Sequence, residues 1–407
     1  MIAKVKETFF GTFRPKSGAA PFFTSVIIWG IGIGCFMAAV NNYLVDVHNI
    51  NEFQRGMLEF FREMPGLLLV FILAILHRVS DWQILRLGTL ISMVGAIALC
   101  VPTNMVAATV VIMIWSTGEH LAMPVRSSIA MQIAHKDRAG ASLGYVSAAM
   151  HAGLVFGNLV VAAVFMIGLH LFKVADRNSL YNVVWIIIFV LMIASVGCTM
   201  SRYAPRHQSK RPRLLVRRKF TLFYLLELFY GARKQIFMTF APFVLITIYG
   251  LHTSHMALLM GLSALINMVA GPWVGMLTDR LGYRTIMVYD TVILVFVCLL
   301  YGYAGDWFPQ HIAFWIVIIN YLLDALLSTT SIATNIYVRD VSSDRDEVTA
   351  TLSTGISINH LISILAAPLG GYVWMRWGVG TLFSFSALMG IANSLCAMQI
   401  PIRKKSA

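Results

Sequence analysis

GMLTDRLGYRTIM, Gly275 to Met287, is a short charged turn between two apolar runs. Roughly twenty apolar residues are needed to cross a bilayer core, and each flanking run is long enough to do so. Within the turn, Gly275 would let the end of one helix approach a neighbour closely. Asp279 could accept hydrogen bonds from the exposed amides of an adjacent helix N-terminus, and Arg280 and Arg284 could hold headgroups or carboxylates. The plain reading is a positively charged turn. The other reading is a lock between helix ends that holds one arrangement and releases it in another.

Composition places the whole chain in a membrane. Of 407 residues, 58% are hydrophobic and 12% charged, with a mean hydropathy of +0.76, whereas soluble domains run near about 25% charged. The opening MIAKVKETFFGTFRPKSGAA holds charges and no apolar core of signal-peptide length, so a cytoplasmic N-terminus is expected. Cys35, Cys100, Cys198, Cys298 and Cys396 stand singly in apolar segments with no metal-ligand spacing, so no metal and no cofactor is expected.

Twelve spans are predicted, at 21–47, 53–76, 84–101, 106–131, 142–168, 180–200, 220–249, 254–277, 285–304, 311–337, 350–374 and 379–400. The 31 lysines and arginines test the drawing. Odd-numbered connections and the span ends beside them hold Arg55, Lys173, Arg177 and Arg376, and spans enclose Arg62, Arg126, Arg233 and Lys234 more deeply; all others fall at the termini or in or beside even-numbered connections. The positive-inside rule then puts both termini in the cytoplasm. SRYAPRHQSKRPRLLVRRK, Ser201 to Lys219, divides six spans from six. The expected organisation is an N-terminal bundle over 1–200, a basic cytoplasmic linker over 201–219 and a C-terminal bundle over 220–407. The net charge of +13 is read as membrane orientation, with the linker touching anionic headgroups. No nucleic acid is expected as a partner, because the linker lacks the interleaved aromatics of a stacking platform.

The opening turn resembles the loop signature of the major facilitator superfamily, G-x-L-x-D-R-x-G-x-R, through Gly275, Leu277, Asp279, Arg280, Gly282 and Arg284. In the first half the corresponding HRVSDWQILR keeps Asp81 and Arg86 but has neither glycine. Weaker likenesses are Arg138 with Gly140 and Gly144, APLGG at Ala367–Gly371, and Gly153 with Gly157, which lack the proline that the family's antiporters often carry. The resemblance implies an all-α membrane protein of two six-helix bundles, mostly monomeric, whose first, fourth, seventh and tenth spans line a central cavity. Gly275, Asp279, Arg280, Gly282, Arg284, Asp81 and Arg86 would form its gating motif.

Polar residues collect independently in those four segments: Asn41, Asn42 and Tyr43; Trp115, Glu119, His120 and Arg126; Glu227, Tyr230, Arg233 and Lys234; Asn320, Tyr321, Asp324 and Asn335. At about 100° per residue, Glu227, Gly231 and Lys234 share a face with Tyr230 beside them, while Arg233 points about 120° away from Glu227. One base can face a cavity and the other must find a partner at a helix interface; either assignment is open. Glu119 and Arg126 share a face about 10 Å apart along the axis. Glu59, Arg62 and Glu63 have the spacing of an intrahelical salt-bridge set, with an extracellular gate or substrate contact as the other reading.

Intramembrane ionisable residues are functional candidates by default. The expected substrate-binding residues are Asn41, Asn42, Tyr43, Trp115, Glu119, Arg126, Tyr230, Arg233, Lys234, Asn320 and Asp324. Glu119, His120, Glu227 and Asp324 are the candidates for proton coupling. The expected function is a proton-coupled secondary active transporter of a small polar solute, an organic anion, in the bacterial cytoplasmic membrane, with uptake favoured. The rival is a proton-coupled exporter of cationic or amphiphilic compounds. Enzyme chemistry is not expected, since the chain has no HExxH and no phosphate-binding glycine loop.

Overall fold

A computed structural model describes residues 11–401 apart from 16, 77, 103, 136–137 and 201–215. The described residues contain helices and no strand. In chain order these are α1 (Ala19–Asp46), α2 (Glu52–Ile75), α3 (Asp81–Ala98), α4 (Met105–Ile133), α5 (Ala139–His170) and α6 (Arg177–Thr199). They continue with α7 (Thr221–Thr247), α8 (Thr253–Leu281), α9 (Tyr283–Trp307), α10 (Gln310–Ser328), α11 (Ile332–Val341) and α12 (Arg345–Met398). A lipid-embedded backbone must satisfy its polar groups internally, which explains the nearly unbroken helix.

Local signals set the boundaries. Ser80 and Gln83 form a capping box at α3, and Asn104, Asp176 and Asp344 cap α4, α6 and α12 through their side chains; each such cap satisfies amides that the first turn leaves unpaired. Gly378, at φ 86°, divides α12 into two limbs. The tenth predicted span is α10 and α11 joined by a 3-10 turn at Thr329–Ser331.

Eight segments are long and apolar enough to cross a bilayer, and the last of them, Ala350–Met398, contains both limbs of α12. The helices α2, α3 and α7 fall short because they carry charge: Glu52, Arg55, Glu59, Arg62 and Glu63 in α2, Asp81 and Arg86 in α3, Glu227, Arg233 and Lys234 in α7. Counting these three and the two limbs singly gives a twelve-span all-α membrane protein. Arg55, counted with the first connection although the drawn span 53–76 just encloses it, lies in the first turns of α2 with its side chain buried. The reason is its bond to Glu59 one turn on, which supplies the partner a buried guanidinium needs.

The chain divides into two compact units, one of Met1–His48, Leu68–Arg211 and His252–Gly261, the other of Asn49–Leu67, Pro212–Leu251 and Leu262–Ala407. Most of the expected linker, 201–215, lies outside the described residues. In the first unit α1 and α5 meet backbone to backbone. A Cβ on Gly157 would fall 2.2 Å from the Ile31 carbonyl oxygen, and one on Gly34 2.5 Å from that of Leu154. Small residues permit this approach where lipid gives no hydrophobic drive for helices to associate. Trp29, Phe36, Trp115 and Trp185 fill the space beside it. In the second unit Phe237, Tyr301 and Phe383 cluster between α7, α9 and α12, and the Tyr301 hydroxyl donates to the Ala241 carbonyl at 2.8 Å.

Candidate functional site

The ionisable groups of α7 have three different environments in the second unit. Arg233 is 4% exposed and is ion-paired through Nη2 with Asp324 of α10. The rings of Tyr230 and Phe237 lie 5.8 and 5.9 Å from its guanidinium carbon. Its Nε–H is buried without an acceptor among the described residues. Lys234, the next residue, is half-buried, and its ammonium has no hydrogen bond or ion pair with another described residue. Glu227 accepts from Asn359 Nδ2 of α12 at 2.8 Å and feels the charge of Lys234. The helix-interface partner required for one base is therefore Asp324, and it takes Arg233.

Tyr230 donates to the Ser328 carbonyl at 3.2 Å. Asn320 is buried and donates to its own helix, at Ile316 O, 2.7 Å away. Asp324 thus joins the α7 charges, while Asn320 serves α10 itself.

A second ionic group occupies the first turns of α2. Glu59, 2% exposed, accepts from Arg55 at 2.9 Å, from Arg62 at 2.5 Å and from Gln235 of α7 at 3.1 Å. Arg62 also bonds Glu63, and Glu63 meets His360 Nδ1 of α12 at 2.8 Å. The intrahelical set read from the sequence is present, and Gln235 and His360 extend it to two further helices. Neither was flagged by the sequence, since a single glutamine or histidine in a span looks like any polar residue until its partner is known.

In the first unit Arg126 is buried, with its guanidinium 4.7 Å over the Trp29 ring. Its Nε donates to Ala122 O at 3.2 Å, its Nη1 approaches Met150 Sδ at 3.1 Å, and Glu119 one face-length away acts on its charge. His120 Nδ1 lies 2.8 Å from Ser116 O. Trp115 stacks on Phe36 at 4.6 Å. Asn41 and Asn42 are buried in α1. Tyr43 is enclosed by Tyr181 and Trp185 and bonded to His48 and the Leu99 carbonyl, so its ring packs the aromatic core.

The gating-motif residues fall in two sets. Asp81 accepts from Ser128 Oγ at 2.6 Å and Gln132 Nε2 at 2.7 Å, and Arg86 caps the end of α6 at the Thr199 carbonyl, 2.6 Å away. In the second unit Asp279 and Arg280 are exposed and their side chains have no hydrogen bond to another described residue, and Arg284 is half-buried. No atom of the described residues lies within 4 Å of a Cβ added at Gly275, so the close helix approach expected there is not made among them. Gly282 does use its freedom: at φ 84°, ψ 147° it starts α9 in backbone space that is essentially closed to other residues.

On the same side of the second unit, Glu347 at the start of α12 gathers Arg217 Nη1 at 2.5 Å, Lys219 Nζ at 2.6 Å and the Ser343 amide at 2.7 Å. These bonds hold its carboxyl down to about 2, well below the usual range.

The family model of the Major Facilitator Superfamily matches residues 22–358 and 224–406. The chain belongs to the Major Facilitator Superfamily. Its fold is accordingly that of the superfamily, twelve membrane helices in two six-helix bundles. A mutant of the nucleoside transporter NupG has a TM-score of 0.74 at 14% identity, covering 93% of this chain and 98% of that one. A POT family transporter in complex with 5-aminolevulinic acid gives 0.73 at 12%, covering 93% and 94%. A bacterial homologue of the human lysosomal transporter Spinster gives 0.66 at 13%, covering 95% of each chain. At such identities these superfamily members share the fold alone. Among curated proteins none matches the chain by sequence.

Proposed function

We propose that this superfamily member is a secondary active transporter that takes up a small organic anion with protons, by alternating access, across the bacterial cytoplasmic membrane. It works as a monomer with both termini in the cytoplasm. The observation that carries the reading is the contrast inside α7: Arg233 is neutralised by Asp324, whereas its neighbour Lys234 has no anion bonded to it among the described residues. A half-buried ammonium with no carboxylate bonded to it among the described residues favours an anionic solute, which would supply a direct partner.

Proton coupling follows from the same electrostatics. Glu227 shares the face of Lys234, so an anion arriving at Lys234 competes with Glu227 for it and favours protonation of that carboxyl. Glu119, His120 and Asp324 are the further candidates for this role. Arg126, Tyr230, Trp115, Asn41, Asn42 and Asn320 would complete the solute's surroundings.

The exporter reading rests on one observation, the neutral partner of Glu227: Asn359 leaves that carboxylate's charge available to a cation. Reconstitution separates the two. Proteoliposomes with an imposed inward proton gradient are expected to accumulate an organic anion from a panel of carboxylates and phosphates. Accumulation of cations alone, and only when the gradient is reversed so that protons leave the lumen in exchange, would establish the exporter instead.

A further inference from the structure

Asp290 lies in the second turn of α9, inside a membrane span, and has no place in the site described above. Its Oδ2 is 2.6 Å from the hydroxyl of Thr330, in the 3-10 turn between α10 and α11. That hydroxyl is also 2.7 Å from the carbonyl oxygen of Leu327. A threonine hydroxyl has one proton to donate and can accept as well. It has a single proton for both oxygens, and a carboxylate and a carbonyl are each acceptors only, so full-strength bonds to both need a second proton. If Asp290 were ionised, the two short contacts would have to share that one proton as a weaker three-centre bond. A protonated carboxyl satisfies both: Asp290 donates to Thr330 Oγ1, and Thr330 donates to Leu327 O.

The surrounding charge agrees. Arg233 from α7 acts on Asp290, but its ion pair is with Asp324 from α10. Tyr230 and Cys298 are the other titratable groups acting on Arg233. Facing α9 from α11 is the neutral Thr334, against Met287, and from the second limb of α12 the Gly390 carbonyl, 3.4 Å from Thr291 Oγ1. Thr291 Oγ1 is itself 3.4 Å from Asp290 Oδ1. Two acids therefore share one base, and the base is taken. Arg233 meanwhile keeps a buried Nε–H with no acceptor among the described residues.

We propose that Asp290 holds a proton in this state of the protein and is a carrier of the coupling proton, with Thr330 as its hydrogen-bond relay and Arg233 as the cation that receives its ionised form. The transport role rests on the function proposed above; the presence of the proton does not. When the O–H bond breaks, the proton leaves to water and the electron pair stays on the carboxylate. Thr330 must then turn its hydroxyl from Leu327 to Asp290. Arg233 is drawn between two aspartates, which weakens its hold on Asp324. Protonation reverses each step, so loading Asp290 and tightening the α7–α10 pair are one event.

Infrared difference spectroscopy of the purified protein tests this without any solute. Near neutral pH the wild type is expected to show the carbonyl stretch of a protonated carboxylic acid, displaced by carboxyl-labelled aspartate and lost in Asp290→Asn. Thr330→Val, which leaves the aspartate in place, is expected to move that band to higher frequency as its hydrogen bond is lost. A protein with no such band, a band insensitive to labelled aspartate, or one unmoved by Thr330→Val would overturn the proposal. If the band behaves as expected but no solute accumulates under a proton gradient, the transport reading fails and the protonated Asp290 stands.

Discussion

Oε1 of Glu59 in α2 accepts a hydrogen bond from Nε2 of Gln235 in α7 at 3.1 Å, while the same carboxylate also holds the guanidinium groups of Arg55 and Arg62. Side-chain exposures of 3% for Glu59 and 5% for Arg55 make this a buried ionic group. Taking one partner from such a group strands the others, at a cost of about 3–5 kcal/mol. Glu59→Ala is therefore expected to lower the unfolding temperature in detergent strongly, and Glu59→Gln, which keeps a hydrogen-bond acceptor, less so. Equal, small losses in both variants would show that the carboxylate charge contributes little.

Gly56, between Arg55 and Glu59 in α2, sits against α12. A Cβ there would fall 2.3 Å from the Ala367 carbonyl oxygen and 3.2 Å from Pro368 Cα, both backbone atoms. Backbone cannot yield as a flexible side chain does, so Gly56→Ala must push the helices apart. Overpacking of this kind costs about 1–3 kcal/mol. Thermal unfolding of Gly56→Ala checks it, with Gly144→Ala as the control, since nothing lies within 4 Å of a Cβ at Gly144. Indistinguishable variants would contradict the close packing.

Glu347 is the acid whose titration should be visible in stability. Its carboxyl is lowered from 4.5 to about 2 by Lys219, the Ser343 amide and Arg217. A group depressed in the folded protein stabilises it above the unfolded value, and that contribution is lost as the pH falls through the folded value. The difference in unfolding temperature between wild type and Glu347→Gln should be full above about pH 4.5, shrink below it and vanish near about pH 2. Arg217 and Lys219 are 54% and 35% exposed, so salt should also reduce it. A difference constant across that interval would show that the bonds do not depend on the carboxylate's charge.

How much of this could be read from the chain alone differs between span and site. The spans were legible because lipid demands long apolar helices, and even the broken tenth span and the Gly378 turn lie near the predicted limits. The three charges of α7 were legible as anomalies. Which base is paired was not, because a helical wheel fixes the angle between Arg233 and Lys234 but says nothing of the helix that each one meets. Asp324 settles it from 91 residues away. Gln235 and His360 were missed for the same reason: their partners, Glu59 and Glu63, are 176 and 297 residues distant. Asp290 is different. It was open to the rule that flags any ionisable residue inside a span, but counting bases by loop passes over acids. Gly275 shows the converse, a motif residue whose expected close contact is absent among the described residues.

The account turns on Lys234 as a cation kept for an anionic solute. Its most direct test is ligand-induced thermal stabilisation of the purified protein over a panel of organic anions, cations and neutral solutes, repeated with Lys234→Ala and Glu119→Gln. At least one carboxylate or phosphate is expected to raise the unfolding temperature of the wild type, and that rise should disappear in Lys234→Ala while the unliganded protein remains folded. Stabilisation by cations alone, or an anion response that Lys234→Ala leaves intact, would contradict it.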